Sequence, residues 1–179
     1  MGSPNADRDR NIVLTGFMGT GKTTVGRELA ARLGMRFVDT DELIAERHGP
    51  ISVMFTDRGE AGFRAMEADV ATELAAEQGL VVATGGAMML DPANEASLGS
   101  TGPVICLSAE PDTIVARLDA AAMQQRPLLD GDDPARSVRE LMATRATGYA
   151  RFRGIDTTGR GVHEIVDEIV ALLDGQSGS

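Results

Sequence analysis

The sequence predicts an α/β protein in which a parallel sheet is flanked by helices. Short apolar runs alternate along the chain with longer segments whose apolar residues recur at helical spacing. Because parallel strands need crossover connections, this alternation is typical of a parallel sheet with helices on both faces. With 179 residues, 42% of them apolar, the chain can bury one ordinary core, so we expect a single domain.

Five short runs are predicted to be strands. The first four are rich in branched apolar residues and end in Thr or Ser, whereas the fifth is weaker. In chain order they are NIVLT (11–15), RFVDT (36–40), GLVVAT (79–84), PVICLS (103–108) and GIDT (154–157).

Three helices are predicted from apolar residues that recur every three or four positions, and we expect these residues to face the core. The three stripes are Val25, Leu29 and Leu33; Phe63, Met66, Val70 and Leu74; and Val162, Ile165, Val166, Ile169 and Leu173. The segment AAAMQQRPLLDGDDPAR (120–136) has no sustained apolar face, and we expect a mobile loop there.

The charge and the cysteine content limit the partners and the compartment. The formal net charge is −10, and nucleic acid and anionic membranes repel an acidic protein. We therefore expect small-molecule partners, no nucleic acid and no membrane. We also expect a monomer. The single cysteine, Cys106, lies within PVICL, where we expect a buried residue that forms no intrachain disulfide. This fits the reducing cytoplasm, which is the expected location.

The two ends of the chain are predicted to lie outside the folded domain. Residues 1–10 contain no apolar signal core, and no apolar run approaches the roughly 18 residues of a membrane span. We expect a disordered leader over residues 1–10, one domain over residues 11–174 and a disordered tail over residues 175–179.

The segment GFMGTGKTT follows the first predicted strand and precedes the first predicted helix. A glycine, four residues and then Gly-Lys-Thr form the P-loop pattern, which binds nucleotide phosphates. Backbone N–H groups and the positive helix end surround the phosphates, the Lys22 ammonium reaches the outer ones, and the Thr23 hydroxyl binds magnesium. The expected nucleotide-binding residues of this segment are Gly16, Gly19, Thr20, Gly21, Lys22, Thr23 and Thr24.

Asp39 lies near the end of the second predicted strand, and Asp41 follows that strand directly. P-loop proteins usually hold magnesium with an acid near the end of a neighbouring strand, and of the second, third and fourth predicted strands only the second has one there. We therefore predict that Asp39 serves the metal. Asp41, one step farther from the nucleotide, is predicted to orient a phosphoryl acceptor or to take its proton. The alternative is a helix N-terminus capped by Thr40 or Asp41.

Further candidates lie near the ends of other elements, where open α/β sheets bind ligands. In FRAME, the Arg64 guanidinium can be held by a glutamate three residues later. ATGGAMM places Gly85 and Gly86 after the third predicted strand, where backbone N–H groups can approach a ligand. MQQRPLL and TRATGY add Arg126 and Arg145. Taken singly, each arginine also fits an ordinary surface residue, and the glycine pair also fits a tight turn.

The order of these motifs resembles that of the shikimate kinase family over nearly the whole chain, from about Asn11 to Leu173. Many families share the P-loop, whereas D-T-D, F-R-x-x-E, T-G-G, R-P-L-L and R-x-x-x-Y in this order are specific to one. The resemblance implies ATP-dependent phosphorylation of the 3-hydroxyl of shikimate, a step toward chorismate and the aromatic amino acids. It also implies the three-layer P-loop kinase fold of nucleoside monophosphate kinases, with a five-stranded parallel sheet in the order 2-3-1-4-5, flanking helices and a mobile lid at about residues 119–134.

The resemblance assigns substrate contacts to the matching positions. Arg64 and Arg145 are expected to bind the substrate carboxylate. Asp41 is expected to contact the substrate hydroxyls, together with the backbone of Gly85 and Gly86. These assignments agree with the chemistry, because paired guanidinium groups suit a carboxylate and an aspartate suits vicinal hydroxyls.

The remaining assignments concern the nucleotide, the metal and the substrate ring. Arg126 is expected to close over the phosphates from the lid, and Arg117 to stack on adenine. Asp39 and Thr23 are expected to serve Mg²⁺, which is the cofactor used with ATP. The residues expected to form an apolar wall beside the ring are Phe55 and Phe63. The expected catalytic residues are Lys22, Asp41 and Arg126.

The chain departs from the family pattern at three points, one of which is a lid poorer in basic residues than most, and other functions stay open. Ala87 stands where the family usually has a third glycine, and the usual Ala-Asp pair before the last strand is missing. The first alternative is a P-loop kinase of another small hydroxy acid, such as a different cyclitol acid or gluconate. The second is a GTP-dependent switch, suggested by DTTG at 156–159, although no N-K-x-D motif follows. The third is a nucleotide-binding protein without catalysis, which would not need all of Lys22, Thr23, Asp39, Asp41 and Arg126.

Overall fold

The structure is a computed structural model that describes residues 10–118 and 133–176. Its strands are β1 (Ile12–Thr15), β2 (Arg36–Asp39), β3 (Leu80–Ala83), β4 (Val104–Ser108) and β5 (Arg153–Asp156). Within the described ranges they form one parallel sheet of five strands in the order β2-β3-β1-β4-β5. All of the predicted strands are present, and the strand order implied by the family resemblance is confirmed.

Helices cover both faces of this sheet. In the described ranges they are α1 (Lys22–Leu33), α2 (Thr40–His48), α3 (Ile51–Ala75), α4 (Pro92–Leu98), α5 (Pro111–Arg117), α6 (Pro134–Tyr149) and α7 (Val162–Gln176), with short 3-10 turns at Met88–Leu90 and Gly99–Thr101. None of the helices described is both long and apolar enough to cross a membrane.

Three predicted segments fall largely outside the described ranges. These are the leader, the central part of the lid with Arg126, and the end of the tail. At two boundaries the structure differs from the prediction. The predicted loop ends earlier than expected, because α6 begins at Pro134 and the Asp133 side chain caps it by accepting from the N–H of Arg136. At the other end, α7 continues to Gln176, two residues into the predicted tail.

The core has one apolar layer on each face of the sheet, as the strand periodicity requires. In β1, Val13 packs with the α3 stripe, whereas the next residue, Leu14, packs with the stripes of α1 and α7. The most deeply buried members of these stripes are Val25, Leu29, Phe63, Met66, Val70, Leu74, Ile165, Val166 and Ile169. The predicted core-facing stripes are confirmed, and α3 bends at Gly59, whose φ of 66° favours glycine.

Parallel pairing brings the carboxyl ends of β1, β2 and β3 to one edge of the sheet. In this register Asp39, the last residue of β2, lies beside Ala83, the last residue of β3. The N–H of Thr84 donates to the carbonyl of Leu14 at 3.0 Å, which fixes the start of the next loop beside β1. The P-loop, the two aspartates and the glycine pair therefore begin at the same edge.

Candidate active site

The P-loop connects β1 to α1 through three glycines in conformations that other residues adopt only with strain. Gly16, Gly19 and Gly21 have φ values of 130°, 74° and 96°. At Gly16 a Cβ would also overlap the carbonyl of Leu107 in β4, so the loop lies directly against the sheet. The Lys22 ammonium donates to the carbonyls of Gly16 and Phe17, each at 2.8 Å, which holds it within the loop.

The Thr side chains of the loop face different surroundings. Thr20 is buried, and its hydroxyl donates to the Phe17 carbonyl at 2.8 Å, which stabilises the loop from within. Thr23 and the exposed Thr24 lie at the start of α1 and line a cavity of about 200 Å³. Asp39, Asp41 and Gly86 line the same cavity. One space is thus bordered by residues predicted for the nucleotide, the metal and the acceptor.

The two carboxylate oxygens of Asp39 have different partners. Oδ2 accepts from the Thr23 hydroxyl at 2.6 Å. Oδ1 accepts from the N–H groups of Asp41 and Glu42 at 3.0 and 3.2 Å, so Asp39 caps α2. The capping alternative therefore holds for this segment, but neither Thr40 nor Asp41 is the cap. Asp39 can cap α2 and face the P-loop at the same time because its two carboxylate oxygens have separate partners. Oδ1 accepts from the start of α2, and Oδ2 accepts from the start of α1.

Glycine is needed at position 85 because two side chains approach its Cα closely, and not because its backbone has a positive φ. Its N–H donates to the buried hydroxyl of Thr40 at 2.9 Å. A Cβ on Gly85 would lie 2.6 Å from Oδ1 of Asp41 and 2.7 Å from Oε1 of Glu67. Two carboxylates therefore approach the Cα of Gly85 closely. The Gly85 N–H already donates to Thr40. Of the two glycines, we therefore expect only Gly86 to donate its N–H to the substrate.

Ala87 occupies a conformation that any residue can adopt. Its φ and ψ are −116° and −2°, and it begins the 3-10 turn Met88–Leu90. Neither Gly85 nor Gly86 is among the glycines with positive φ. Replacement of the family's third glycine by alanine therefore imposes no backbone strain here.

Arg64 is held by two glutamates on α3. Its Nη1 donates to Oε2 of Glu67 at 2.6 Å, and its Nη2 to Oε1 of Glu60 at 2.9 Å. Glu67 is only 1% exposed, and its other oxygen, Oε1, has no hydrogen-bond partner among the described residues. Burial raises the pKa of Glu67 against the opposing effect of Arg64, while Asp41 adds to the rise and Arg145 opposes it. These four charged groups thus form one interacting cluster.

Arg145 approaches this cluster from α6. Its guanidinium lies 5.7 Å from the ring centroid of Phe17 in the P-loop. Its Nη1 lies 3.6 Å from the position that a Cβ of Gly86 would occupy. The structure therefore brings Arg145 to the glycine pair although α6 is distant from it in sequence.

The two phenylalanines predicted to form an apolar wall contact each other. The ring centroids of Phe55 and Phe63 are 5.0 Å apart with an interplanar angle of 36°. Phe63 is buried in the core cluster on the α3 face, and the half-buried Phe55 packs against it. The Arg64 guanidinium lies 5.8 Å from the Phe63 ring.

Arg117 joins the P-loop to the segment after β5. Its guanidinium donates to the Gly19 carbonyl at 3.2 Å and to the hydroxyl and carbonyl of Thr157 at 3.1 and 2.9 Å. Thr157 is 1% exposed, and its hydroxyl lies 3.0 Å from the carbonyl oxygens of Thr20 and Ser108, either of which can accept its single proton. The motif DTTG therefore supports the P-loop, a role that no local pattern predicts because it depends on contacts distant in sequence.

The donor set beside the P-loop suits magnesium bound together with a nucleotide. Among residues 10–118 and 133–176, no group of three or more His, Cys, Asp and Glu side chains is arranged to hold a metal by itself. Mg²⁺ commonly keeps waters and substrate phosphates and takes only one or two protein ligands. The adjacent hydroxyl of Thr23 and carboxylate of Asp39 are oxygen donors of that kind.

Comparison with known sequences agrees with the site. A family model described as "Shikimate kinase" matches residues 18–174. A shikimate kinase of Symbiobacterium thermophilum is 44% identical over 166 residues, which cover 91% of this chain and 95% of that protein. A shikimate kinase of Geobacter metallireducens is 41% identical over 169 residues, which cover 93% of each.

Comparison with solved structures leads to the same family. The structure of "Shikimate kinase from Acinetobacter baumannii in complex with shikimate" has a TM-score of 0.90 and 32% identity, and the match covers 99% of this chain and 100% of that one. A gluconokinase from Sinorhizobium meliloti matches with a TM-score of 0.64 at 20% identity, which shows a shared fold alone. The resemblance drawn from the motifs is confirmed: the chain belongs to the shikimate kinase family.

Proposed function

We propose that the chain transfers the γ-phosphoryl group of ATP to the 3-hydroxyl of shikimate. The observation that carries this proposal is that Asp41 and the Glu67 that holds Arg64 both lie against Gly85, while Arg145 lies beside Gly86 at the P-loop cavity. Two guanidinium groups suit a substrate with one carboxylate, and an aspartate suits its hydroxyls. Membership of the shikimate kinase family supports the same acceptor.

In this proposal Arg64 and Arg145 together bind the shikimate carboxylate. Glu67 holds Arg64 in place, so the guanidinium is oriented before the acceptor arrives. The Gly86 N–H contacts a ring hydroxyl, and the Phe55–Phe63 pair forms the apolar wall beside the ring. The acceptor hydroxyl is then directed toward Asp41, which lines the cavity shared with Lys22.

Phosphoryl transfer needs a proton acceptor and a positive environment at the phosphates. Asp41 takes the proton as the 3-hydroxyl oxygen bonds to the γ-phosphorus and the bond to the β–γ bridging oxygen breaks. Lys22 and the N-terminus of α1 stabilise the negative charge that moves toward the leaving ADP. Both groups are positioned by the P-loop, which makes the stabilisation preorganised.

Thr23 and Asp39 would hold Mg²⁺, which supplies charge neutralisation and orientation at the phosphates. Arg117 would lie at the adenine, with its polar edge held by Gly19 and Thr157. Arg126 remains a predicted phosphate ligand that lies outside the described residues. The cytoplasmic location and the monomeric state expected from the sequence also remain predictions.

A coupled ADP-release assay tests the acceptor. Shikimate, quinate, gluconate and nucleoside monophosphates are compared in parallel with saturating ATP and magnesium. We expect kcat/KM for shikimate to exceed that for each of the others by at least about a hundredfold, because quinate carries an additional ring hydroxyl, gluconate is an open chain and nucleoside monophosphates have no carboxylate for the arginine pair. A preference for gluconate or another hydroxy acid would overturn the proposal, and so would ADP release that is independent of any acceptor.

A further inference from the structure

The hydroxyl of Tyr149, the last residue of α6, donates to the carbonyl oxygen of Gly86. The neighbouring carbonyls of Gly85 and Ala87 accept instead from backbone N–H groups of the 3-10 turn, at 3.1 and 2.9 Å. The peptide between Gly86 and Ala87 is therefore held by a side chain, whereas the peptides on either side are held by the backbone.

Arg145 lies one helical turn before Tyr149 on the same face of α6. Its Nη1 is 3.6 Å from the position of a Gly86 Cβ, so both side chains reach the same glycine. Tyr149 binds the carbonyl of Gly86 while Arg145 lies on its Cα side. Because Tyr149 and Arg145 belong to the same helix, the contact of Tyr149 with Gly86 also sets the distance between Arg145 and the Gly86 backbone.

The packing around Tyr149 keeps its hydroxyl in this position. Gly148 allows close approach, since a Cβ there would lie only 2.8 Å from Cδ2 of Leu90 in the 3-10 turn. The Tyr149 ring packs against an apolar cluster that includes Phe17 and Val138. Burial raises the pKa of Tyr149 to about 12, although Arg145 opposes the rise, so the phenol remains a donor over the working pH range.

We propose that Tyr149 is a positioning residue for the acceptor, which holds the Gly86 peptide at a fixed place relative to the Arg145 guanidinium. The inference rests on the proposed function, because Gly86 and Arg145 are there the contacts to the shikimate ring and carboxylate. A peptide next to glycine rotates easily once its hydrogen bond is lost. Without the Tyr149 hydroxyl the two contacts would no longer be presented in one geometry, while the P-loop would be untouched.

The test compares Tyr149→Phe with the matched variant Arg151→Met. Arg151 connects the same two segments, since its Nη2 donates to the Met89 carbonyl at 2.8 Å and pairs with Glu95, but it does not contact Gly86. We expect Tyr149→Phe to raise KM for shikimate about five- to tenfold, the loss of one hydrogen bond of ordinary strength. KM for ATP should stay within twofold, and Arg151→Met should change neither KM by more than twofold.

Equal increases in the shikimate KM in both variants would overturn the proposal, because general docking of α6 would then explain them. An unchanged KM in Tyr149→Phe would overturn it as well. Failure of the wild-type enzyme to phosphorylate shikimate would instead overturn the proposed function, so the two failures are distinguishable.

A spectroscopic measurement on the wild-type enzyme needs no variant. Tyr149 is the only tyrosine, and the chain has no tryptophan, so the near-ultraviolet absorption above the phenylalanine bands reports this residue. We expect shikimate, bound to saturation as judged by calorimetry, to produce a tyrosine difference spectrum without ATP. Saturation by shikimate with no difference spectrum would contradict the contact between the Tyr149–Gly86 unit and the acceptor.

Discussion

The hydroxyl of Thr23 donates a hydrogen bond of 2.6 Å to Oδ2 of Asp39. This bond joins the first turn of α1 to the N-cap of α2, so a single carboxylate links the P-loop to the helix that carries Asp41. The two aspartates therefore have separate tasks in our account. Asp39 faces the metal side of the cavity, whereas Asp41 faces the acceptor side near Gly85 and Glu67.

The first prediction separates these tasks by substitution. Asp39→Asn should mainly raise the magnesium concentration needed for half-maximal activity, because asparagine still caps α2 but removes one anionic ligand. Asp41→Asn should lower kcat by about a hundredfold or more while ATP binds normally, because the proton acceptor is lost and the phosphate cradle stays intact. Steady-state kinetics over a magnesium series, with calorimetry for ATP, measures both effects. Equal shifts in magnesium dependence, with turnover otherwise intact, would show that the division is wrong.

The second prediction concerns Ala87. Because its φ of −116° suits any residue, the reversion Ala87→Gly should neither relieve strain nor move the Gly86 peptide. KM for shikimate should change by less than about threefold, which is under about 0.7 kcal/mol. An improvement of tenfold or more on reversion would mean that the pocket is poorly fitted to shikimate, and another cyclitol acid would then become the better acceptor.

The third prediction tests Glu67 as the residue that orients Arg64. Glu67→Gln keeps the size of the side chain but removes the buried negative charge, so KM for shikimate should rise about tenfold and KM for ATP should not change. Glu60→Gln is the matched control. Glu60 binds the other nitrogen of the same guanidinium but is largely exposed, so its replacement should cost less than about twofold. Similar effects of the two variants would contradict a special role for the buried carboxylate.

The fourth prediction concerns the only cysteine. Cys106 is buried in β4, as predicted, and burial raises its pKa from 9.0 to about 11, against a smaller opposing effect of Lys22. At pH 8 the folded chain should react with a neutral thiol reagent at least about a hundredfold more slowly than the chain in denaturant, since a pKa difference of about 2 lowers the thiolate fraction by that factor.

The same shift has a consequence for stability. The pKa of Cys106 is higher in the folded chain than in the unfolded chain, so the protonated thiol contributes to the free energy of unfolding. This contribution is complete below about pH 9 and is lost as the pH rises toward about 11. Cys106→Ala should lack this component of the alkaline loss in unfolding free energy. Rapid modification of the native thiol at pH 8, or identical alkaline profiles for both proteins, would contradict the prediction.

The arrangement of strands and of the main helices could be predicted because it depends on local patterns. Apolar runs such as NIVLT and the stripe from Phe63 to Leu74 carry the periodicity of their elements, and both are buried as expected. The P-loop is equally local, because the glycines that need positive φ all lie within one short segment, Gly16 to Gly21. Boundaries were less predictable: the start of α6 depends on capping by Asp133 within a polar segment without an apolar face.

Several contacts of the site could not be predicted because they connect residues far apart in sequence. Thr40 engages the N–H of Gly85, so the glycine pair has one fewer available donor than the motif suggests. Gly85 was predicted to offer its N–H to a ligand, whereas in the structure it leaves space for two carboxylates. Thr157 supports the P-loop through Arg117, although DTTG gives no local sign of it. Such features follow from packing between elements, which the periodicity and spacing of residues do not predict.

The most direct test of our account is the identity of the product. The wild-type enzyme is incubated with ATP, magnesium and shikimate, and the phosphorylated product is examined by phosphorus and proton NMR. We predict one product, in which the phosphorus couples to the proton on carbon 3 of shikimate, formed in a one-to-one ratio with ADP. Phosphate on another hydroxyl, or ADP formed with free phosphate and unmodified shikimate, would contradict the account.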